Sequence, residues 1–136
     1  MKRVFFLAAL VVGSSLAGPA AFAQAKPERN EQQARRFLFC MNVNQFFYEY
    51  LQKNDPQNPG LAGFRDSRFH YRLAATLLSD GEFVTKEAEN TLQDVMHILE
   101  KDQAEKTAQI HDEAKSCVQT FKNEVVPIIQ QAGAAK

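Results

Sequence analysis

The feature that most constrains the fold is a long stretch without proline or glycine, which runs from Glu82 to Val126. These two residues destabilise helix interiors more than any others, so their absence over such a length is typical of helical structure. Apolar residues recur along the stretch at three- and four-residue spacing, which predicts amphipathic helix. The two resulting stripes consist of Ala88, Leu92, Val95, Met96 and Leu99, and of Ile110, Ala114, Cys117, Val118 and Phe121.

A nearly all-polar segment, Glu100 to Gln109, separates the two stripes. It lacks the turn residues typical of a chain reversal, and this favours one long, bent helix through the segment. The alternative is a break at which Asp102 caps a new helix, with Glu105 as its capping-box partner three residues later. The Val126–Pro127 pair is expected to end or kink the last helical segment.

Residues 31–53 show the same helical period over a much wider apolar arc. At 100° per residue the apolar side chains cover roughly 220°, about twice what a surface helix needs. The arc contains Phe37, Phe39, Cys40, Met41, Val43, Phe46, Phe47, Tyr48, Tyr50 and Leu51. A helix with so wide an arc contacts several neighbours or keeps one apolar stripe for a partner. We therefore select Phe39, Val43, Phe46 and Tyr50 as candidate partner-binding residues.

Between these two regions, residues 54–66 carry two Asn/Pro turn signals and are predicted to form a loop. A helix is predicted from about Arg68 to Ser79, capped by Asp66 or Ser67 and ended by Asp80-Gly81. Its apolar stripe is Phe69, Leu73 and Leu77, with Ala74 and Leu78 beside them.

Three arginines surround the start of that helix, namely Arg65, Arg68 and Arg72, with aromatic residues such as Tyr71 between them. Arginine binds carboxylates and phosphates through its forked donors. The cluster is therefore a candidate docking patch for an acidic partner or an anionic lipid headgroup. The alternative is internal ion pairing with the acidic residues that follow, which are Glu82, Glu87, Glu89 and Asp94.

The N-terminus has the three parts of a secretory signal peptide. These are a basic start at Met1-Lys2-Arg3, an apolar run from Val4 to Leu16, and the small-x-small exit Ala21-Phe22-Ala23. A membrane anchor would need about 20 apolar residues, and this run is shorter. We therefore predict that residues 1–23 are a signal peptide, cleaved after Ala23, and that the protein acts in the periplasm.

The rest of the chain is predicted to form one domain. Residues 24–30 are expected to be a flexible lead-in, 31–131 a helical domain, and 132–136 a flexible tail. Loss of Lys2 and Arg3 with the signal leaves a net charge of about −2, which argues against nucleic acid as a partner. No second long apolar run follows, so stable membrane insertion is not expected after cleavage.

Cys40 and Cys117 are the two cysteines of the chain. In an oxidising compartment such a pair most simply forms one disulfide. A redox or metal-binding thiol pair would favour Cys-x-x-Cys spacing, which is absent. The bond would place the first helix beside the last. The sequence therefore predicts an all-α fold, a small bundle of three to four helices with one long C-terminal helix, held by one disulfide.

Motifs for metal binding, haem binding and catalysis are incomplete. Asp94 and His97 have carboxylate–histidine spacing, but a di-iron bundle needs two Glu-x-x-His motifs and further glutamates. Met41 and His111 lie on the disulfide-linked helices, yet about 9 Å apart along the axis, which excludes them as facing haem ligands. Neither Gly-x-Ser-x-Gly nor His-Glu-x-x-His occurs. We predict no cofactor, no metal site and no enzymatic activity.

These observations favour a periplasmic, non-enzymatic protein-interaction module, such as an inhibitor or immunity protein or a small stress chaperone. Its partner is expected to be another periplasmic or secreted protein, contacted through the aromatic helix or the arginine cluster. The alternative is a carrier of a small apolar ligand or cofactor, held between the aromatic helix and the long C-terminal helix.

Overall fold

The computed structural model describes residues 28–134, and this range is almost entirely helical, with no strand. The helices are α1 (Glu31–Asn54), α2 (Leu61–Leu78), α3 (Gly81–Leu99) and α4 (Gln103–Thr120). α4 continues through a π-helical turn (Phe121–Val125) into α5 (Val126–Gly133), so the C-terminal element is one long helix. The predicted all-α bundle with a long C-terminal helix and one Cys40–Cys117 disulfide is confirmed. The predicted signal peptide and most of the predicted lead-in lie outside the described residues.

α1 occupies the centre of the bundle and contacts α2, α3 and α4. At its N-terminal end, the Asn30 amide donates to the Leu78 carbonyl at the end of α2, and Arg29 binds Asp80 at the start of α3. α2 and α4 run antiparallel to α1, whereas α3 runs parallel to it. The wide apolar arc of α1 is thereby explained, because neighbours cover it from several directions.

α2 begins at Leu61, well before the predicted start near Arg68, so the connecting loop is short. Gly60 stands at the N-cap without a side-chain hydrogen bond, and the predicted caps Asp66 and Ser67 are wrong. The Ser67 hydroxyl instead donates to the Gly63 carbonyl one turn earlier, which lets serine sit inside a helix.

The chain reverses between α3 and α4, so the favoured continuous helix is wrong and the alternative break at Asp102 is correct. The Asp102 carboxylate accepts hydrogen bonds of 3.1 Å from the N–H groups of Ala104 and Glu105. The Glu105 carboxylate binds Lys101 instead of completing a capping box. A straight helix through both apolar stripes would extend beyond α1, whereas the reversal lets the buried members of each stripe, such as Val95 and Cys117, join the core around α1. Leu92, Met96 and Val118 of the same stripes remain exposed.

Pro127 distorts the C-terminal helix without ending it. The turn before it, Phe121–Val125, is π-helical, and the Val126 amide at its end donates to the Phe121 carbonyl five residues earlier. Proline lacks an N–H group and clashes with the carbonyl four residues earlier, so the wider turn accommodates it. α5 then reaches Gly133, inside the segment 132–136 that was expected to be flexible.

A buried polar network determines how α1, α2 and α4 meet. The Tyr71 hydroxyl donates to the Cys117 carbonyl and accepts from the Asn44 amide. Burial raises the pKa of the Tyr71 hydroxyl, which therefore stays protonated and remains a donor. On the α3 side, the Asn42 amide donates to the Thr91 hydroxyl at 3.0 Å. These bonds satisfy polar groups that burial alone would destabilise.

Candidate functional site

The four candidate residues of α1 share the face toward the gap between α3 and α4, but they differ in depth. Val43 is fully buried, so the structure removes it from any surface that a partner contacts. Phe39 is half-buried, with the Arg36 guanidinium 5.3 Å from its ring centroid. Phe46 is half-buried and Tyr50 is 55% exposed. The predicted surface therefore remains accessible mainly at the C-terminal end of α1.

The first cavity along this gap is a polar groove of about 800 Å³ between α1, α3 and α4. Its charged side chains take part in ion pairs, either with one another or, as for Lys101 with Glu105, with a residue beside the groove. Arg35 binds Glu87 and Asp94, and Arg36 binds Glu113. Because these opposite charges neutralise each other, the groove has no strong electrostatic preference for one kind of ligand.

The carboxylate–histidine pair of the sequence does not form a site in this groove. Asp94 is bound to Arg35 at 2.7 Å. The His97 side chain is 86% exposed, and its Nδ1 lies 3.6 Å from the Glu100 carboxylate. Solvent therefore reaches both groups, and they do not converge on one point.

The second cavity, about 490 Å³, lies where the C-terminal end of α1 meets the turn between α3 and α4. We call it the aromatic pocket, and its lining residues are Phe46, Phe47, Tyr50, Leu99, Gln103, Lys106, Thr107, Ile110 and His111. The Phe46 ring packs edge-to-face on Phe47 at 5.2 Å and lies 6.2 Å from Tyr50. His111 is nearly perpendicular to Phe47 at 5.9 Å. The pocket thus combines a wall of packed rings with a polar rim.

A third surface is the outer face of α2, a name we use for Arg65, Phe69, Arg72 and Leu73. Phe69 is 67% exposed, the largest exposed fraction of any large hydrophobic residue in the described chain, and Leu73 one turn later is 36% exposed. Arg65 pairs with its neighbour Asp66. The Arg72 side chain has no hydrogen-bond or ion-pair partner among residues 28–134. This face therefore presents exposed apolar surface beside a cation without a partner.

The other two members of the predicted arginine cluster turn inward. Arg68 lies over the Tyr48 ring at 4.4 Å and donates to Gln45, and its Nε is buried without a partner. Tyr71 is 1% exposed and belongs to the core, so its assignment to a partner-binding surface is corrected. The accessible part of the cluster is the outer face of α2.

The alternative of ion pairs between this cluster and α3 is not observed among the described residues. Glu87 and Asp94 bind Arg35 of α1 instead. The reason is that α3 packs chiefly on α1 and only slightly on α2. Arg65 and Arg72 are therefore left on the surface.

Phe69 and Leu73 were expected in the core stripe of their helix, and the structure places them on the opposite face. The core face of α2 instead consists of Tyr71, Ala74, Ala75 and Leu78. Two adjacent alanines let the helix approach α1 closely, whereas a phenylalanine there would hold it away. An Ala-Ala pair one turn before a buried leucine was the signal that could have identified the inner face.

Comparison with known protein families, curated proteins and solved structures finds no match to this chain. Within residues 28–134, no helix has both the length and the apolar character needed to cross a bilayer. In the same part of the chain, no group of three or more histidine, cysteine, aspartate or glutamate side chains is placed to hold a metal ion.

Proposed function

We propose that this protein is an exported, non-enzymatic interaction module that binds another periplasmic or secreted protein through the outer face of α2. The observation that carries the proposal is the 67% exposure of Phe69 on the same helical face as Arg72. Large aromatic residues and arginine are the side chains most enriched at protein interfaces and their energetic centres.

The chemistry of the face indicates a partner surface with an apolar centre and acidic surroundings. Phe69 and Leu73 supply adjacent apolar area one helical turn apart. The unpaired Arg72 provides a forked donor for a carboxylate. Arg65 adds a second, because its pair with Asp66 is solvent-exposed and therefore weak.

The core behind this face holds α2 in place, so binding a partner costs little conformational entropy. On the opposite side of α2, Tyr71, Ala74 and Ala75 are almost fully buried against the rest of the bundle. A recognition helix fixed in this way loses little conformational freedom on binding. This rigidity favours an inhibitor-like module over a chaperone that must unfold to expose apolar surface.

The exported location is part of the proposal. Residues 1–23 have the composition of a signal peptide, and the Cys40–Cys117 disulfide is compatible with an oxidising compartment. The two cavities beside α1 are open to solvent, and neither gathers a set of catalytic side chains from the described residues, which suits recognition better than catalysis.

A pull-down from a periplasmic extract tests the proposal with three single variants. Phe69→Ser and Arg72→Glu are expected to lose the protein that the wild type recovers. Leu92→Ser, which alters a comparably exposed leucine on α3, is expected to recover it. All three sites are on the surface, so unfolding free energies should stay within about 0.5 kcal/mol of the wild type.

The outcome that overturns this function is recovery of the same partner by the wild type and both α2 variants, or by none of them. Determining the N-terminus of the protein isolated from the periplasmic fraction tests the export component separately. Cleavage after Ala23 is expected to leave Gln24 as the first residue.

A further inference from the structure

We infer that the aromatic pocket binds a small amphipathic carboxylate, with the apolar tail among the rings and the carboxylate at Lys106. This site lies at the meeting of α1, α3 and α4, whereas the outer face of α2 belongs to another side of the bundle. The inference therefore does not depend on the proposed protein-binding function.

The inner wall of the pocket is suited to an apolar tail. Phe46 and Phe47 form it from α1, and Leu99 and Ile110 close it from the two sides of the α3–α4 turn. The volume of about 490 Å³ lies within the usual size of ligand-binding clefts, which are roughly 300–1,000 Å³. Tyr50 is 55% exposed at the edge, so a ligand that contacts it removes apolar surface from water.

The charge of the lining determines which head group the pocket prefers. No aspartate or glutamate is among the lining residues, and Lys106 is the cation among them. Lys106 is half-buried, and its side chain has no hydrogen-bond or ion-pair partner within residues 28–134. Lys101 differs, because it already binds Glu105 at 2.6 Å. An ammonium without a partner at the edge of an apolar pocket favours an incoming anion.

The other potential anion site nearby is already occupied by the chain itself. The pocket borders the first two turns of α4, and a helix N-terminus attracts negative charge. However, the Asp102 carboxylate accepts hydrogen bonds from the Ala104 and Glu105 amides there. Recognition of a ligand carboxylate therefore depends on Lys106, and His111 on the next turn offers an additional ring nitrogen at the rim.

Three eight-carbon probes that differ only in the head group test this assignment by isothermal titration calorimetry. Octanoate is expected to bind at least about tenfold more tightly than 1-octanol, because it adds one charge-assisted contact. Octylammonium is expected to bind most weakly, because Lys106 repels it. Equal affinities for octanoate and 1-octanol would overturn the role of charge in the pocket.

Variants of Lys106 separate the head-group contact from the apolar pocket. Lys106→Met is expected to weaken the binding of octanoate by about tenfold and to leave the affinity for 1-octanol unchanged. Lys106→Arg is expected to bind octanoate as the wild type does. Lys86→Met is the matched control, because Lys86 is an exposed lysine of α3 that does not line the pocket. An unchanged octanoate affinity in Lys106→Met would reject the assigned contact.

Thr107→Trp locates the binding event. Thr107 is exposed at the rim, so a larger side chain fills the entrance without disturbing the core. Loss of both octanoate and 1-octanol binding is expected. If Thr107→Trp still binds either probe, or if the wild type does not bind octanoate, the assigned site is overturned. Phe69→Ser is expected to bind octanoate normally, so this result is independent of the outcome for the outer face of α2.

Discussion

α1 is covered on its two sides to very different extents. Toward α2, Phe37 and Tyr71 are almost fully buried, with ring centroids 6.4 Å apart, and Ala74 and Ala75 of α2 are fully buried. Toward the gap between α3 and α4, Phe46 is half-buried and Tyr50 is 55% exposed. Aromatic residues of one helix thus serve as core on one side and as pocket lining on the other.

The difference shows how packing divides structural from functional positions in a small bundle. α2 packs along most of the length of α1. A buried hydrogen bond between Tyr71 and Asn44 joins the two helices. α3 and α4 diverge around the opposite side and are joined only by a short turn, which leaves two cavities. Where packing is incomplete, a ligand can replace water on apolar surface.

The largest expected effect comes from the disulfide, which holds α4 against the open side of α1. It joins residues 77 positions apart, and both sulfurs are buried. Replacing Cys40 and Cys117 together by alanine should reduce the free energy of unfolding by about 2–5 kcal/mol in urea denaturation. Hydrogen exchange should show that α4 amides lose protection before α2 amides.

Wild-type protein reduced with dithiothreitol is the control for the loss of the two sulfur atoms. It should unfold at nearly the same urea concentration as the alanine variant. A loss of less than about 1 kcal/mol, or uniform loss of protection in α2 and α4, would contradict the idea that the bond secures the open side.

The second prediction concerns the packed side, where Tyr71→Phe removes one hydroxyl. The change leaves the Cys117 carbonyl and the Asn44 amide without that partner in a buried position. It should lower the free energy of unfolding by about 1–3 kcal/mol, measured by urea denaturation. Tyr50→Phe on the open side is the matched control, expected to change it by no more than about 0.5 kcal/mol. Equal losses in the two variants would remove the distinction between the sides.

Periodicity predicted α1 and the helical character of the C-terminal half well, because a helix face repeats along the chain, but it misplaced the start and the core face of α2. The 31–53 pattern and the absence of proline and glycine after Glu82 need only local information. The reversal at Asp102 is harder to predict, since its capping signal conflicts with the absence of turn residues. Packing of both apolar stripes on α1 decided it, and that is a tertiary effect.

The sequence predicted which face of α1 carries the candidate site residues, but not how deeply each residue is buried. Phe46 and Tyr50 were selected from the correct face of α1, yet Val43 on the same face is buried. The angular position of a residue does not reveal whether neighbouring helices close over it. Lys106 was missed because it joins Phe46 only when the chain turns back at Asp102.

The smallest effect is expected at the junction of the two sides, where Asp80 starts α3 and contacts Arg29. The hydrogen bond from the Phe83 amide, and then Arg29, lower the pKa of the Asp80 carboxyl below its ordinary value of 3.8. Folding therefore favours the ionised form. Its contribution to stability is fully present above the ordinary pKa and is lost as the pH falls through the lower, folded-state pKa.

Asp80→Asn tests this sign, because asparagine keeps the capping oxygen but does not titrate in this range. The wild type should melt at a higher temperature than Asp80→Asn near neutral pH, and this advantage should shrink as the pH falls below the ordinary carboxyl pKa of 3.8. Asp112→Asn, at an exposed position inside α4 where the carboxylate lies 3.6 Å from Lys115 and caps no helix, shows what the loss of one paired surface charge does without a cap. An advantage for the wild type that stays constant down to the lowest pH would mean that the carboxylate charge contributes nothing here. The attachment of α3 to the packed side would then depend on the neutral cap and the surrounding apolar contacts.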